Sequence, residues 1–277
     1  MQIDGTFRGK DVQLVELTQD HPGFNDKAYR TRRDEIAGYA ASYTAGAPIE
    51  DVAYNADEQS VWHAVWDKLA PLHEQYACEA YLRAAEAFGF AHDHIPGFAE
   101  INARLEPTQR FTLAPVAGLV RPETFLLQLG QHRFLATQYM RHGSEPLYTP
   151  EPDVVHEYIG HVALLASPQH AALNLAFGRA TERATAAEVD ALIRVYWYTI
   201  EFGVLQEADT IKVYGAGHLS SFGEIQRVRE ADLRPWSLAT MAETSFDPTS
   251  YQAQLFVAPS YGQMQRDVLA WLETIGR

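Results

Sequence analysis

The chain has 277 residues, 47% hydrophobic and 21% charged, which is enough apolar material for a core and excludes a disordered or low-complexity protein. Acidic residues outnumber basic ones 36 to 22; the resulting charge of −14 repels phosphate backbones and anionic membranes and excludes nucleic acid as an expected partner. A single cysteine, Cys78, excludes an internal disulfide and a cysteine-built zinc or iron–sulfur site. The opening MQIDGTFRGK lacks the apolar segment of a secretory signal, and no run approaches the roughly 18 apolar residues of a membrane span, so a cytoplasmic protein is expected. With no repeat and no Gly/Ser linker, residues 1–277 read as a single domain.

Residues 26–45 and 57–88 read as long amphipathic helices, the second opening at Asp57 with Val61, Val65, Leu69 and Leu72 three or four apart. Residues 92–155, with HIPGF, LAPVAGL, RPETF and SEPLYTPEPD, are punctuated by Pro and Gly and predict short strands and turns, where loops can shape a pocket. In TAAEVDALIRVYWYTIEFGVLQE, Thr185 and Glu188 form a capping box. Val189, Leu192, Ile193, Tyr196, Ile200 and Val204 then line one face, which predicts a buried helix. The closing QRDVLAWLETI is amphipathic without a heptad pattern, so no coiled-coil tail is expected.

Of eleven histidines, most stand alone; the exception is HEYIGH, residues 156–161. Two histidines four apart share a helical face and can reach one metal, but five residues on an ideal helix leave His156 and His161 about 140° apart. A π-bulge or a helix end near Gly160 would bring them together; otherwise they are two ordinary buried histidines. A facial triad of two histidines and one carboxylate suits non-haem iron(II), and Glu201 in YWYTIEFG is the candidate carboxylate, unless it is simply exposed. Trp197, one turn earlier, points the same way and offers an aromatic wall. Arg141, fifteen residues before His156, can grip a carboxylate bidentately or form an ordinary surface ion pair. YGAGHLSSFGE offers close backbone approach and the hydroxyls of Ser220 and Ser221.

Five blocks in order, DHPGFNDKAYRTRRDEIA, LAPVAGLV, TQYMRHGSEPLYTPEPDVVHEYIGH, YWYTIEFG and IKVYGAGHLSSFGEIQ, resemble the aromatic amino-acid hydroxylases, the pterin-dependent iron monooxygenases of phenylalanine, tyrosine or tryptophan. The resemblance spans roughly residues 20–260. It implies a mainly α catalytic domain, a helical basket with a few short β-strands, and iron held by His156, His161 and Glu201. A tetrahydropterin, tetrahydrobiopterin or a relative, would supply two electrons, one atom of O2 going to the pterin and the other to the substrate ring. By matching position, Arg141 would hold the substrate carboxylate with Thr149 and Ser220, while Pro150 and Trp197 shape the ring pocket. Phe125 would stack on the pterin, Gly118, Leu119 and Val120 would offer backbone groups to its edge, and Glu157 and Tyr196 would stand nearby. Leu135, where animal members carry His, and Ile193, in place of a small residue, depart from the pattern.

The chain resembles a bacterial member without the regulatory domain or tetramerisation helix of animal ones, so a monomer is expected. L-Phenylalanine is the expected substrate, with para attack giving L-tyrosine: Trp197 narrows the pocket against an indole, and Pro248, or Asp247 if the alignment slips by one, stands where tyrosine hydroxylases carry an aspartate. Attack at the meta position, or on tryptophan, is the nearer alternative. From other classes, the alternatives are a zinc hydrolase with Glu157 as general base and a non-catalytic metal- or pterin-binding module.

Overall fold

The computed structural model describes residues 17, 19 and 21–277; the MQIDGTFRGK start lies outside the described residues. Helix α1 (Lys27–Ser42) begins where the Asp26 carboxylate accepts the Tyr29 N–H. Helix α2 (Ala56–Tyr76) opens with an Asn55/Glu58 capping box and buries Val61, Trp62, Val65 and Leu69. The expected helix over 57–88 is broken at Ala77 and Cys78, and α3 (Glu79–Phe88) starts anew. The break has a tertiary cause: the Cys78 N–H donates to the Val213 carbonyl at 2.9 Å, so this stretch pairs with a strand instead of its own helix. Glu207 then caps α3 by accepting the Glu79 N–H.

The punctuated region also holds more helix than its Pro and Gly content suggests. Helix α4 (Phe98–Gln109) keeps Pro107 within it and buries Phe98, Ile101 and Leu105, a helical spacing that the proline obscures in the sequence. Strand β1 (Thr112–Pro115), helix α5 (Pro122–Leu129) and strand β2 (Arg133–Ala136) follow, with β1 and β2 parallel and Thr112 opposite Arg133.

A π-helix, π1 (His156–Val162), runs through α6 (Ala163–Leu165) towards α7 (Pro168–Arg183). Helix α8 (Ala186–Tyr196) has the expected Thr185/Glu188 box, but it passes at Trp197 into a second π-helix, π2 (Trp197–Glu201). The apolar face therefore does not continue as one helix to Val204, which begins strand β3 (Val204–Glu207). After β4 (Thr210–Val213) come α9 (Ala216–Leu219), α10 (Phe222–Arg227), β5 (Asp232–Pro235), α11 (Leu238–Glu243), β6 (Gln254–Ala258) and α12 (Tyr261–Leu272). The second sheet has the order β4-β3-β6-β5, antiparallel only between β3 and β4. The fold is mainly α with few strands, as expected. Trp62, Phe98, Tyr158, Phe177 and Phe256 fill one core, in which π1 is buried almost throughout.

Candidate metal centre and substrate site

Both π-helices carry i→i−5 bonds, from the Ala163 N–H to the Tyr158 carbonyl and from the Phe202 N–H to the Trp197 carbonyl. A π-turn of roughly 4.4 residues leaves residues five apart only about 50° apart on the helix, against about 140° in an α-helix. That underwinding is what makes HEYIGH work: His156 Nε2 and His161 Nε2 lie 3.0 Å apart. Glu201 Oε1 is 3.2 Å from His161 Nε2, and its Oε2 is 3.6 Å from His156 Nε2. Two metal–ligand bonds of about 2.1 Å at a right angle span about 3.0 Å, so the donor atoms are spaced as one face of a metal's coordination shell. Among the described residues these three form the one such cluster of His, Cys or acidic groups.

Electrostatics couples the three. Burial resists protonation of His161, yet the Glu201 carboxylate outweighs it and the imidazole pKa rises; burial lifts Glu201 and His161 more than reverses it, so that pKa falls. His156 is pushed down to about 4 by burial and by His161.

Helix α9 wedges between the two π-helices because glycines let it in. A Cβ on Gly160 would sit 2.8 Å from the Ala216 carbonyl oxygen, and one on Gly215 2.5 Å from that of Glu201. The wedge delivers Ser220 to His156, Oγ to Nδ1 at 3.0 Å. The Ser220 hydroxyl proton goes to the Ala216 carbonyl at 2.8 Å, so Ser220 accepts from His156 Nδ1–H. This fixes the tautomer with the Nε2 lone pair facing the triad, as a metal ligand needs. Ser220→Ala is expected to weaken iron binding about 10–100-fold with the fold intact, read as iron retained against a graded chelator. Unchanged retention would mean that the bond orients nothing.

Arg141 is buried, and one side of its fork is occupied: Nε and Nη2 each donate to Asp153 at 2.8 Å. Asp153, fully buried, also accepts the N–H groups of Arg141 and His156, tying the arginine to the start of the histidine helix. The guanidinium has five N–H groups, so the Nη1 side remains for a ligand carboxylate. Sequence reasoning missed Asp153; its signal was a helix-capping aspartate three residues before His156. The loop is pinned from α1 as well: Arg33 donates to Glu151 at 3.0 Å and lies over the Tyr139 ring at 3.4 Å, while the Tyr139 hydroxyl donates to Glu151 and to the Pro152 carbonyl. Thr149 is half-buried and donates to the Glu151 carbonyl, whereas Pro150 is exposed.

Trp197 is half-buried, stacked on Phe246 with centroids 4.1 Å apart. Phe125 meets Phe134 and Tyr196 edge-on at 5.2 and 5.7 Å, and Phe134 lies 4.9 Å from His161, so these rings run continuously to the triad. The Tyr196 hydroxyl donates to Asn174 Oδ1 at 3.1 Å, another unforeseen partner. Glu157 is pushed up to about 7 by burial, and its Oε1 accepts both the N–H and the hydroxyl of Thr137. Gly118 is buried, Leu119 exposed and Val120 half-buried. Val120 and Phe125 pack on a small cluster of Ala114, Val116 and Leu135, so Leu135 gives this face no polar group; Ile193 packs on the main core.

The model of the biopterin-dependent aromatic amino acid hydroxylases matches residues 9–277. The chain is 48% identical over 211 residues, 76% of its length, to the chloroplastic phenylalanine 4-monooxygenase of Chlamydomonas reinhardtii. It is 39% identical over 269 residues, 95% of its length, to the phenylalanine-4-hydroxylase of Homo sapiens. It spans 58% and 60% of the lengths of these two relatives. The structure resembles the Chromobacterium violaceum phenylalanine hydroxylase with bound iron(III) and 7,8-dihydrobiopterin, with a TM-score of 0.73 and 28% identity over 80% of this chain and 82% of that one. With His156, His161 and Glu201 converging from two π-helices and a family match across nearly its whole length, the chain belongs to the biopterin-dependent aromatic amino acid hydroxylases.

Proposed function

We propose that the chain is an iron(II)- and tetrahydropterin-dependent monooxygenase that hydroxylates the ring of L-phenylalanine to L-tyrosine with O2. The observation that carries the reading is the convergence of His156, His161 and Glu201 within 4.8 Å, a nitrogen and oxygen donor set that suits iron(II) and leaves positions open. Held by these residues, iron(II) would activate dioxygen, and tetrahydropterin would supply two of the four electrons of its reduction, the substrate ring supplying the other two. The protein's own part is positioning. Arg141 grips the substrate carboxylate through its Nη1 side, with Thr149 beside it and Pro150 and Trp197 bounding the ring; Ser220, expected beside that carboxylate, instead gives its proton to the Ala216 carbonyl and serves through His156. Phe125 stacks on the pterin, the Gly118, Leu119 and Val120 backbone meets its edge, and Glu157 and Tyr196 stand behind it.

Phenylalanine is favoured over tryptophan by the bulk of Trp197 and its stacking on Phe246. It is favoured over tyrosine because Asp247 is spent within its own turn, accepting from the Thr249 N–H, the Thr249 hydroxyl and the Ser250 hydroxyl. A zinc hydrolase would need Glu157 as a free base, but its Oε1 already takes two donors from Thr137 and it is only 6% exposed. The test is kcat/KM of the iron-loaded protein with tetrahydropterin, O2 and each aromatic amino acid, with the product identified by chromatography. Phenylalanine should give the highest value and para-tyrosine; a higher value for tryptophan or tyrosine overturns the substrate, and turnover without pterin overturns the mechanism.

A cytoplasmic monomer completes the reading. It is supported by the unpaired thiol of Cys78 and by α12, which turns Met264, Val268 and Leu272 inward instead of offering them to a partner. Light scattering should give the mass of one chain, and a stable tetramer would overturn it.

A further inference from the structure

The indole of Trp197 is held by a segment far along the chain. Its Nε1–H donates to Gln252 Oε1 at 2.8 Å, across 55 residues, and Phe246 covers it at 4.1 Å and 11° between planes. Gln252 is itself held on every side. Its Nε2 donates to the carbonyls of Asp247 and Ser250, at 3.2 and 3.1 Å, and its backbone N–H donates to Glu224 Oε1 at 3.0 Å. Because Nε2 faces two acceptors, the amide orientation is determined, and only Oε1 can face the indole. Glu224 in turn stands in α10, capped by Ser221, next to the serine that orients His156.

Trp197 and Glu201 are four apart in a π-helix, within about 35° of one face, so the orientation of this indole decides how much room the ring site has beside the triad. We propose that Gln252 is a specificity-determining positioning residue: by holding the Trp197 indole from outside, it fixes the wall of the aromatic pocket at a size that takes one benzene ring and rejects an indole. The inference rests on the reading that the site accepts an aromatic amino acid. An indole without its acceptor would keep the Phe246 stack but lose its fixed rotation, and the pocket would then accommodate a bicyclic side chain.

The experiment compares Gln252→Met, which keeps length without the acceptor, with Gln252→Glu, which keeps the acceptor and loses the Nε2 donors. Loss of one hydrogen bond should narrow the ratio of kcat/KM for phenylalanine over tryptophan about tenfold in Gln252→Met, and Gln252→Glu should stay within about twofold of the parent. In the Trp197→Phe background, Gln252→Met should change the ratio no further. Independently of activity, in protein carrying 15N-labelled indole, the Nε1–H signal missing from Trp197→Phe should shift and lose exchange protection in Gln252→Met but not in Gln252→Glu. An unchanged ratio in Gln252→Met, equal losses on both substrates, or a Gln252→Glu variant that behaves like Gln252→Met overturns the proposal. Failure of the parent protein to turn over any aromatic amino acid overturns the functional reading instead.

Discussion

His161→Ala is expected to leave a folded protein that retains no iron and has no hydroxylase activity above background. The expectation follows from how little slack the site has: three side chains from two helices, whose nearest donor atoms lie 3.0, 3.2 and 3.6 Å apart pair by pair. Loss of a residue that merely orients a ligand costs about 10–100-fold in metal affinity, so loss of a ligand itself should exceed ~100-fold. The fold should persist because π1 is held mainly by Tyr158, Ile159 and Val162, which are fully buried, and because deleting the imidazole opens only a small space beside Phe134. Metal analysis after gel filtration checks the first half, and far-ultraviolet circular dichroism the second. A variant that keeps one iron per chain and its turnover would show that the triad is not the metal site.

How far this site was legible in the sequence depends on how each contact is encoded. The histidine spacing was readable together with its consequence, since a metal shared across five residues demands an underwound helix, and π1 supplies it. The second π-helix was not readable, because Glu201 poses no angular contradiction by itself; the wide turn shows only in the bond from the Phe202 N–H to the Trp197 carbonyl. Local signals such as the Thr185/Glu188 box carried over directly. Contacts between distant segments did not: the break at Cys78 depends on Val213, and the restraint on Trp197 depends on Gln252. A stretch of sequence contains no trace of a partner more than 50 or 100 residues away unless its own pattern is disturbed, and α2 and α3 read as one undisturbed amphipathic run. The resemblance to a family supplied the role proposed for Arg141 but not the Asp153 that holds it in place, and it did not foretell the bond between Ser220 and His156.

Asp153→Ala is expected to be the most destabilising single change in the site, and to weaken phenylalanine binding as well. Arg141 and Asp153 are 4% and 0% exposed, so the substitution leaves a guanidinium buried with no opposite charge on its Nε side. Breaking a buried pair from one side costs about 3–5 kcal/mol, well above the 0–1 kcal/mol of a surface ion pair. At about 2–4 °C per kcal/mol for a chain of this size, the melting temperature should fall by roughly 10 °C. Arg141→Ala should fall less, because the Asp153 carboxylate keeps the backbone N–H groups of residue 141 and His156. It should instead show the larger rise in KM for phenylalanine, about 10–150-fold, from loss of a charge-assisted carboxylate contact worth about 1.5–3 kcal/mol. The two variants thus separate the sides of one fork: Nε and Nη2 are bound to Asp153, and Nη1 is the side expected to hold the ligand. Thermal unfolding and steady-state kinetics on the pair decide it. If Arg141→Ala left KM unchanged while lowering the melting temperature as far as Asp153→Ala, the arginine would be a structural ion-pair partner and the substrate carboxylate would have to be held elsewhere.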